Sequence, residues 1–154
     1  MKLKTIVSGG QTGVDRAAFD FAFERGLETG GYVPKGRLAE DGRIPELYRN
    51  LTETRSGDLA ERTKLNVENS DATLIISRGP LFGGSSRTQE FALASGRPFL
   101  HVDLAAKSID EAATEIEHWL EEKNCERLNI AGPRASEDPE IYDLTMDLLR
   151  ELFN

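Results

Sequence analysis

The sequence contains very few of the residues that most often hold metals or cross-link chains. It has one cysteine, Cys125, and two histidines, His101 and His118, in 154 residues. A single cysteine cannot form an internal disulfide, and three isolated side chains lack the spacing of a zinc or molybdenum site. We therefore expect no metal held by protein side chains. With no targeting segment recognised, we also expect a cytoplasmic protein.

Long apolar runs and excess positive charge are missing as well. No stretch approaches the ~20 apolar residues of a membrane-spanning helix. The net charge of −8 at pH 7 disfavours nonspecific binding to nucleic acid or to an anionic membrane. The expected partner is therefore a small molecule, because backbone amides and a few arginines can hold an anion even on an acidic protein.

Five short apolar runs alternate with amphipathic stretches, a pattern typical of an α/β fold with helices on both faces of a mainly parallel sheet. In chain order the predicted strands are Leu3–Val7, Gly31–Val33, Ala72–Ser77, Pro98–Val102 and Leu128–Ala131. The predicted helices are Thr12–Arg25, Leu59–Asn69, Thr88–Ala94, Ile109–Glu122 and Pro139–Phe153. The length of the chain corresponds to a single domain.

Polar residues mark where three of these helices are expected to begin. Asp58 is a predicted N-cap, and Ser108 with Glu111 has the spacing of a capping box. Ser136 or Asp138 is expected to cap the last helix.

Three glycine-rich corners each follow a predicted strand and lead into a helix. They read SGGQTGVD (residues 8–15), SRGPLFGGSSRT (77–88) and AGPRAS (131–136), and are called the first, second and third corners. Glycine lets backbone amides approach an anion, and a helix start offers unpaired amides. One such corner is equally well explained as a tight turn. Three such corners at the same edge of a sheet favour a binding site for a phosphate-bearing small molecule.

The predicted binding residues all come from these corners, whose amides, hydroxyls and two arginines suit a phosphate. They are Gly9, Gly10, Gln11, Thr12, Gly13, Gly79, Gly83, Gly84, Ser85, Ser86, Arg87, Thr88, Gly132, Arg134 and Ser136. Their spacing matches neither the Walker lysine pattern nor the dinucleotide fingerprint, which disfavours an ordinary ATPase or a nicotinamide dehydrogenase.

Four stretches together carry a resemblance to a known family: SGGQTGVDRAAFDFA, the region from RIPELY to ETRS, ERTKLNVENSDATLII, and GGSSRT. In these the chain resembles the molybdenum carrier proteins of the circularly permuted YpsA branch of the SLOG superfamily, over roughly its whole length. The resemblance implies one Rossmann-like nucleotide-binding domain over residues 1–154. It also implies that the corners hold the phosphate of a molybdopterin-type cofactor, with any molybdenum already chelated by the pterin dithiolene.

The permutation sets the expected order of the five strands. Leu128–Ala131 looks like the first strand of unpermuted relatives, moved to the C-terminal end. The implied order is 2-1-5-3-4, which brings the three corners side by side. A plain flavodoxin-like order, 2-1-3-4-5, would leave the third corner at the far edge.

The same superfamily contains the Lonely Guy phosphoribohydrolases, so a nucleoside 5′-monophosphate N-glycosidase is an alternative, and whether the chain is an enzyme stays open. Arg62 and Glu90 resemble the arginine and glutamate of those enzymes. Glu90 or Asp15 would stabilise an oxocarbenium-like sugar or activate water, oriented by Arg62. The loop GGSSRT and the position of Glu90 two residues after Thr88 depart from that pattern and weigh against cleavage. All three side chains also have ordinary helix-surface or capping explanations.

The segment 34–57 has two prolines, three glycines and little periodicity. A loop of that length in a compact domain is usually functional or mobile. It leaves open a third hypothesis, a nucleotide-sensing module in which this segment is a lid or a partner surface. We also expect a homo-oligomer, on condition that an amphipathic helix leaves an apolar face exposed.

Overall fold

A six-stranded sheet, parallel throughout, forms the centre of the computed structural model, which describes residues 1–153. The strands are β1 (Thr5–Val7), β2 (Glu28–Val33), β3 (Leu38–Ala39), β4 (Gly42–Arg43), β5 (Leu51–Glu53), β6 (Ala72–Ser77), β7 (Phe99–Asp103) and β8 (Arg127–Ala131). The helices are α1 (Val14–Arg25), α2 (Leu59–Glu68), α3 (Gly83–Ser95), α4 (Ile109–Glu122) and α5 (Ile141–Leu152). The sheet has the order β5-β2-β1-β8-β6-β7, and β3 and β4 form a separate antiparallel hairpin.

The prediction of five strands was wrong, and the full strand order therefore differs from the predicted one. The extra strand, β5, pairs with β2 at one edge of the sheet, joining Gly31 to Leu51 and Val33 to Glu53. It is a three-residue strand of sequence LTE with two exposed residues, so it has no apolar run to reveal it. Within the six, the strands corresponding to the five predicted ones lie in the succession 2-1-5-3-4.

The segment 34–57 is also more ordered than its composition suggested, because it contains β3, β4 and β5. Its base is held in the core by Ile44, which is fully buried, and by the buried Arg37, whose Nε donates to the Ile44 carbonyl at 3.2 Å. Tyr48 packs on Phe19 of α1 with ring centroids 5.4 Å apart. The segment is thus a hairpin and an edge strand anchored on one small apolar cluster.

The central strands are buried on both faces, as expected where helices cover a parallel sheet. All six residues of β6, ATLIIS, are buried, and so are Ile6 and Val7 of β1. Helices α1, α5 and α4 pack side by side on one face, while α2 and α3 pack together on the other. The main core lies under the three-helix layer. None of the helices within residues 1–153 is long and apolar enough to cross a bilayer.

Two of the predicted caps are confirmed and one is wrong. The Asp58 carboxylate accepts a bond from the amide of Ala60 at 2.9 Å, and Ser108 and Glu111 form a complete capping box. The last helix begins at Ile141, later than predicted, and no side chain within residues 1–153 caps its start. The carboxylate of Asp138 instead accepts from the amide of Glu140 in the turn before the helix.

The start of α3 is the largest boundary error. The helix begins at Gly83, five residues before the predicted Thr88, so that the glycine- and serine-rich loop is its first turn. Glycine has a weak helix propensity, which is why the sequence favoured a loop there. The free amides of a helix start therefore lie at the glycines of the second corner.

Candidate functional site

A cavity of about 250 Å³ opens at the carboxyl ends of β1 and β8, between α2 and the first turn of α3. Eleven of the predicted site residues line it: Gly9, Gln11, Asp15, Arg62, Gly83, Gly84, Ser85, Arg87, Thr88, Gly132 and Arg134. Seven do not: Gly10, Thr12, Gly13, Gly79, Ser86, Glu90 and Ser136. All three corners therefore contribute to the cavity, but not equally.

The second corner faces the cavity most directly. Gly83, Gly84 and Ser85 form the first turn of α3, and within residues 1–153 no side chain caps that end of the helix. The first-turn amides of a helix have no acceptor in the helix itself. With thirteen residues in α3, its dipole adds a partial positive charge at the same place. The arrangement can accept an anion.

Two hydroxyls and an arginine surround this helix start. The side chain of Ser85 is nearly buried, with the residue only 6% exposed, and it lines the cavity. Thr88 is buried, and its hydroxyl donates to the carbonyl of Gly84 at 3.0 Å, which fixes the first turn. Arg87 is exposed at the rim. Ser85 is thus the side chain best placed to donate a hydrogen bond to an anion that the first-turn amides hold.

A buried ion pair forms the wall between the first corner and α2. The guanidinium of Arg62 lies 3.2 Å from the carboxylate of Asp15, and the two side chains are only 11% and 7% exposed. The same carboxylate accepts a bond from the amide of Gln11 at 3.3 Å. Burial raises the pKa of Asp15, while the charge of Arg62 opposes that shift. The predicted partners Asp15 and Arg62 are therefore in direct contact.

Gly9 is required for this ion pair. A methyl group on its α-carbon would lie 1.5 Å from Nη1 of Arg62, so the guanidinium rests against the bare backbone of the first corner. The Nε atom of Arg62 is buried without a hydrogen-bond partner in residues 1–153. The arginine is held by its charge contact and by the shape of the corner.

The other two glycines of the first corner serve packing rather than the cavity. Gly10 has φ of +76°, and a Cβ there would lie 2.7 Å from the side chain of Ile44. Gly13 has φ of +79°, and its Cβ would lie 2.3 Å from the carbonyl of Pro133 in the third corner. That carbonyl also accepts a bond from the amide of Val14 at 3.2 Å. The first and third corners are therefore packed on each other.

Thr12 and Ser136 contact a carboxylate of the chain itself. Glu40, at the tip of the β3–β4 hairpin, accepts bonds from the amide of Ser136 at 3.0 Å and from its hydroxyl at 2.6 Å. The hydroxyl of Thr12 also hydrogen-bonds to Glu40 and accepts from the amide of Ala135 at 3.0 Å. Arg134 lines the cavity, and its Nε lies 3.9 Å from Glu40 and 3.7 Å from Glu137, a carboxylate that also lines the cavity.

Glu90 and Gly79 are not brought into the cavity. Glu90 is exposed on α3 and does not line the cavity, so the structure does not place it with Asp15 and Arg62. The amide of Gly79 donates to the carboxylate of Asp103 at 2.7 Å, which ties the end of β6 to the end of β7. The explanation of Glu90 as an exposed helix residue agrees with its position.

Sequence reasoning missed several polar residues of the cavity. Asn129 is only 3% exposed, lies in β8 on the cavity floor, and donates through Nδ2 to the hydroxyl of Thr73 at 3.3 Å. Asn66 of α2 lines the cavity and is bonded to both backbone groups of Tyr32. An asparagine inside an apolar strand run was the one signal that could have pointed to Asn129.

No group of three or more His, Cys, Asp or Glu side chains in residues 1–153 is arranged to hold a metal ion. Cys125 is buried, and its burial raises the pKa of the thiol to about 12.

Comparison with known proteins gives one family and one very similar structure. The sequence model of the circularly permutated YpsA SLOG family matches residues 6–153. A crystal structure from Syntrophus aciditrophicus SB, named "Putative molybdenum carrier protein", is 53% identical and superimposes with a TM-score of 0.97. That similarity covers 99% of this chain and 96% of the other. No curated protein sequence matches the chain significantly.

Proposed function

The chain belongs to the circularly permutated YpsA SLOG family, and from that premise we propose that it binds a phosphate-bearing small molecule in the cavity between α2 and α3. The ligand is a nucleotide or a molybdopterin-type cofactor, and the protein is a carrier of that molecule. The name of the structure from Syntrophus aciditrophicus supports the carrier function. Relatives share a fold more reliably than a ligand, so the ligand is inferred from the residues of the site.

The observation that carries the proposal is the open first turn of α3. Gly83, Gly84 and Ser85 of this turn line the cavity, and no side chain in residues 1–153 caps their amides. Backbone amides at a helix start bind phosphate because their dipoles point at it and their positions are fixed before binding. The nearly buried hydroxyl of Ser85 adds a donor at the same end.

The charges around the cavity favour an anion at α3 and a neutral group elsewhere. Arg62 is paired with Asp15, and Arg134 lies 3.7 Å from Glu137, a carboxylate that also lines the cavity. Within residues 1–153, Arg87 at the rim is therefore the positive charge left over beside α3. Asn129 on the floor is uncharged and suits a hydroxyl or amide of the ligand. We assign the phosphate to the first turn of α3 and the polar, uncharged part of the ligand to the floor.

The volume limits how much of the ligand is enclosed. A cavity of about 250 Å³ lies slightly below the ~300 Å³ at which ordinary ligand pockets begin. It suits the phosphate and adjoining ring of a ligand, with the remainder exposed at the opening. For a molybdopterin-type ligand, the protein's contacts would then be with the phosphate and the pterin.

A charge placed in the first turn of α3 tests the proposal. A Cβ at Gly84 meets nothing within 4 Å, so Gly84→Asp is accommodated sterically but puts a carboxylate where the phosphate belongs. Gly57→Asp is the matched control, because Gly57 is equally open and does not line the cavity. The two variants change the net charge identically.

Binding of AMP, GMP and isolated molybdopterin is measured by calorimetry for the wild type and both variants. We expect Gly84→Asp to weaken binding of the preferred probe by about tenfold or more, roughly 1.4 kcal/mol. Gly57→Asp should stay within about twofold of the wild type. If no probe binds the wild type, or if Gly84→Asp binds as well as Gly57→Asp does, the proposal is wrong.

A nucleoside 5′-monophosphate N-glycosidase is a second candidate, favoured by the buried carboxyl of Asp15. Burial raises the pKa of this group, as is common for carboxyls that move protons, and Arg62 orients it. Because Glu90 lies outside the cavity, Asp15 would have to act alone. Release of free base from AMP or GMP, lost in a folded Asp15→Asn variant, would establish this activity. No release would leave a carrier.

A further inference from the structure

The β3–β4 hairpin lies across the first and third corners and places a carboxylate between them. Glu40 at its tip accepts from the amide and hydroxyl of Ser136 and bonds to the hydroxyl of Thr12. The guanidinium of Arg134 lies 3.9 Å from the Glu40 carboxylate and 3.7 Å from that of Glu137. A backbone amide, two hydroxyls and a guanidinium converge on one carboxylate, and these are the donors from which protein sites for oxyanions are built.

A second layer of bonds fixes Thr12, one of these donors. The amide of Ala135 donates to the hydroxyl of Thr12 at 3.0 Å, so that this hydroxyl has its hydrogen free to donate to Glu40. The side-chain carbonyl of Gln11 accepts from the amide of Thr12 at 3.1 Å and from the amide of Glu40 at 2.8 Å. Thr12 therefore keeps its arrangement through contacts that do not involve the Glu40 carboxylate.

The bonds to Glu40 do not serve to cap a helix. Ala135 and Ser136 lie in a turn, and α5 begins only at Ile141. The hydrogen bonds from Ser136 and Thr12 lower the pKa of Glu40, so its carboxylate is charged at neutral pH.

We propose that this cluster of donors is a second oxyanion subsite, occupied by the chain's own Glu40, and that a second anionic group of the ligand takes its place and releases the hairpin. The inference rests on the proposed function, because it adds a second anion subsite to the same cavity. Gln11 and Arg134 line the cavity and contact the subsite, so the two are continuous.

The hairpin is built to move at its tip and stay fixed at its base. Arg37 and Ile44 are buried at the base, but β3 and β4 have only two residues each. Apart from the Glu40 carboxylate, the tip is held by the amide of Glu40, which donates to Gln11 at 2.8 Å. An ion pair also joins Asp41 to Arg16, with the Asp41 side chain 49% exposed. Arg16 donates to both carboxylate oxygens of Asp41, at 3.0 and 3.1 Å, and its own side chain is only 12% exposed. The Glu40 carboxylate accepts three hydrogen bonds and the Asp41 carboxylate two, so the bonds to Glu40 are the larger attachment of the tip.

The test compares Glu40→Ala with Asp41→Ala. Both variants remove one carboxylate from the hairpin tip, and both loosen it, but only Glu40→Ala vacates the subsite. Orthophosphate is titrated by calorimetry, and amide hydrogen exchange is followed in residues 38–43. We expect Glu40→Ala to bind orthophosphate about tenfold more tightly than the wild type, with Asp41→Ala within about twofold of it. The double variant Glu40→Ala/Ser136→Ala should lose most of this gain in affinity for orthophosphate.

Hydrogen exchange at the tip should be about tenfold faster in Glu40→Ala than in Asp41→Ala. Equal phosphate affinity in the two single variants, or a gain that survives Ser136→Ala, overturns the proposal. The comparison of Glu40→Ala with Asp41→Ala is independent of the nucleotide and pterin titrations, which test Gly84. A failure of the second subsite would leave Gly84-dependent binding intact, and a failure of the proposed function would leave the Glu40 difference intact.

Discussion

The ion pair between Arg62 and Asp15 makes a quantitative prediction for Arg62→Met. Methionine keeps much of the length of the side chain but leaves the Asp15 carboxylate, in a residue only 5% exposed, without its charged partner. Removing one member of a buried pair typically costs about 3–5 kcal/mol. Asp15 retains one bond, from the amide of Gln11, and it can take up a proton. We therefore expect the lower end, a loss of about 3 kcal/mol in the free energy of unfolding at pH 7.

The matched control is Arg150→Met. Arg150 pairs with Glu24 at 2.8 Å, a shorter distance than in the buried pair, but the two side chains are 50% and 43% exposed. An exposed pair contributes at most about 1 kcal/mol. Since 1 kcal/mol corresponds to roughly 2–4 °C in a chain of this length, we expect Arg62→Met to melt about 6–12 °C lower than the wild type. Arg150→Met should fall by no more than about 4 °C.

The pH dependence provides a second, independent readout. Because burial raises the pKa of Asp15 in the folded state, folding takes up protons there, and this group makes stability fall as pH rises. Without Arg62 the pKa of Asp15 rises further, and the fall steepens. Urea unfolding at pH 5 and pH 8 should therefore show a larger loss for Arg62→Met at pH 8. Equal losses for the two arginine variants, or a loss in Arg62→Met that does not change with pH, would refute the buried pair as described.

Three further outcomes follow from other contacts. Gly132→Ala should fail to fold stably, because its Cβ would lie 2.2 Å from the carbonyl of Ile76; a melting temperature like that of the wild type would contradict this contact. Ser108→Ala should cost about 1 kcal/mol in urea unfolding through loss of the capping box with Glu111, and an unchanged midpoint would argue against the box. The buried thiol of Cys125, with its pKa raised to about 12, should react with a thiol reagent at pH 8 only after unfolding; rapid reaction in the native protein would count against its burial.

The alternation of apolar runs and amphipathic stretches was enough to predict the main strands and helices, because each strand in the centre of the sheet is buried on both faces. β6 was predicted with its full bounds for that reason. β5 escaped prediction because a short edge strand needs no apolar run, and its pairing with β2 supplies the bonds that define it. The early start of α3 escaped because glycines and serines have weak helix propensities, which tertiary packing overrides.

The site was predictable only as far as local sequence reaches. Glycine-rich strand ends identified the corner of the sheet, and eleven predicted residues do line the cavity. Glu40 could not be found this way, because its partner Ser136 lies 96 positions away in the sequence. Asn129 gave a weak signal, a polar side chain inside an apolar run, but nothing local told whether it faced a helix or a cavity.

The three corners look alike in sequence, yet the contacts of their glycines separate two kinds of role. Gly13 and Gly132 have other backbone within about 2.3 Å of where a Cβ would stand, so they are needed for the chain to pack on itself. Gly9 is needed for the approach of Arg62, whereas Gly84 has open space in front of it. Packing does not explain a glycine such as Gly84, where an added Cβ would meet no other atom within 4 Å. Substitution at Gly13 or Gly132 should therefore change folding first, and substitution at Gly84 should change binding first.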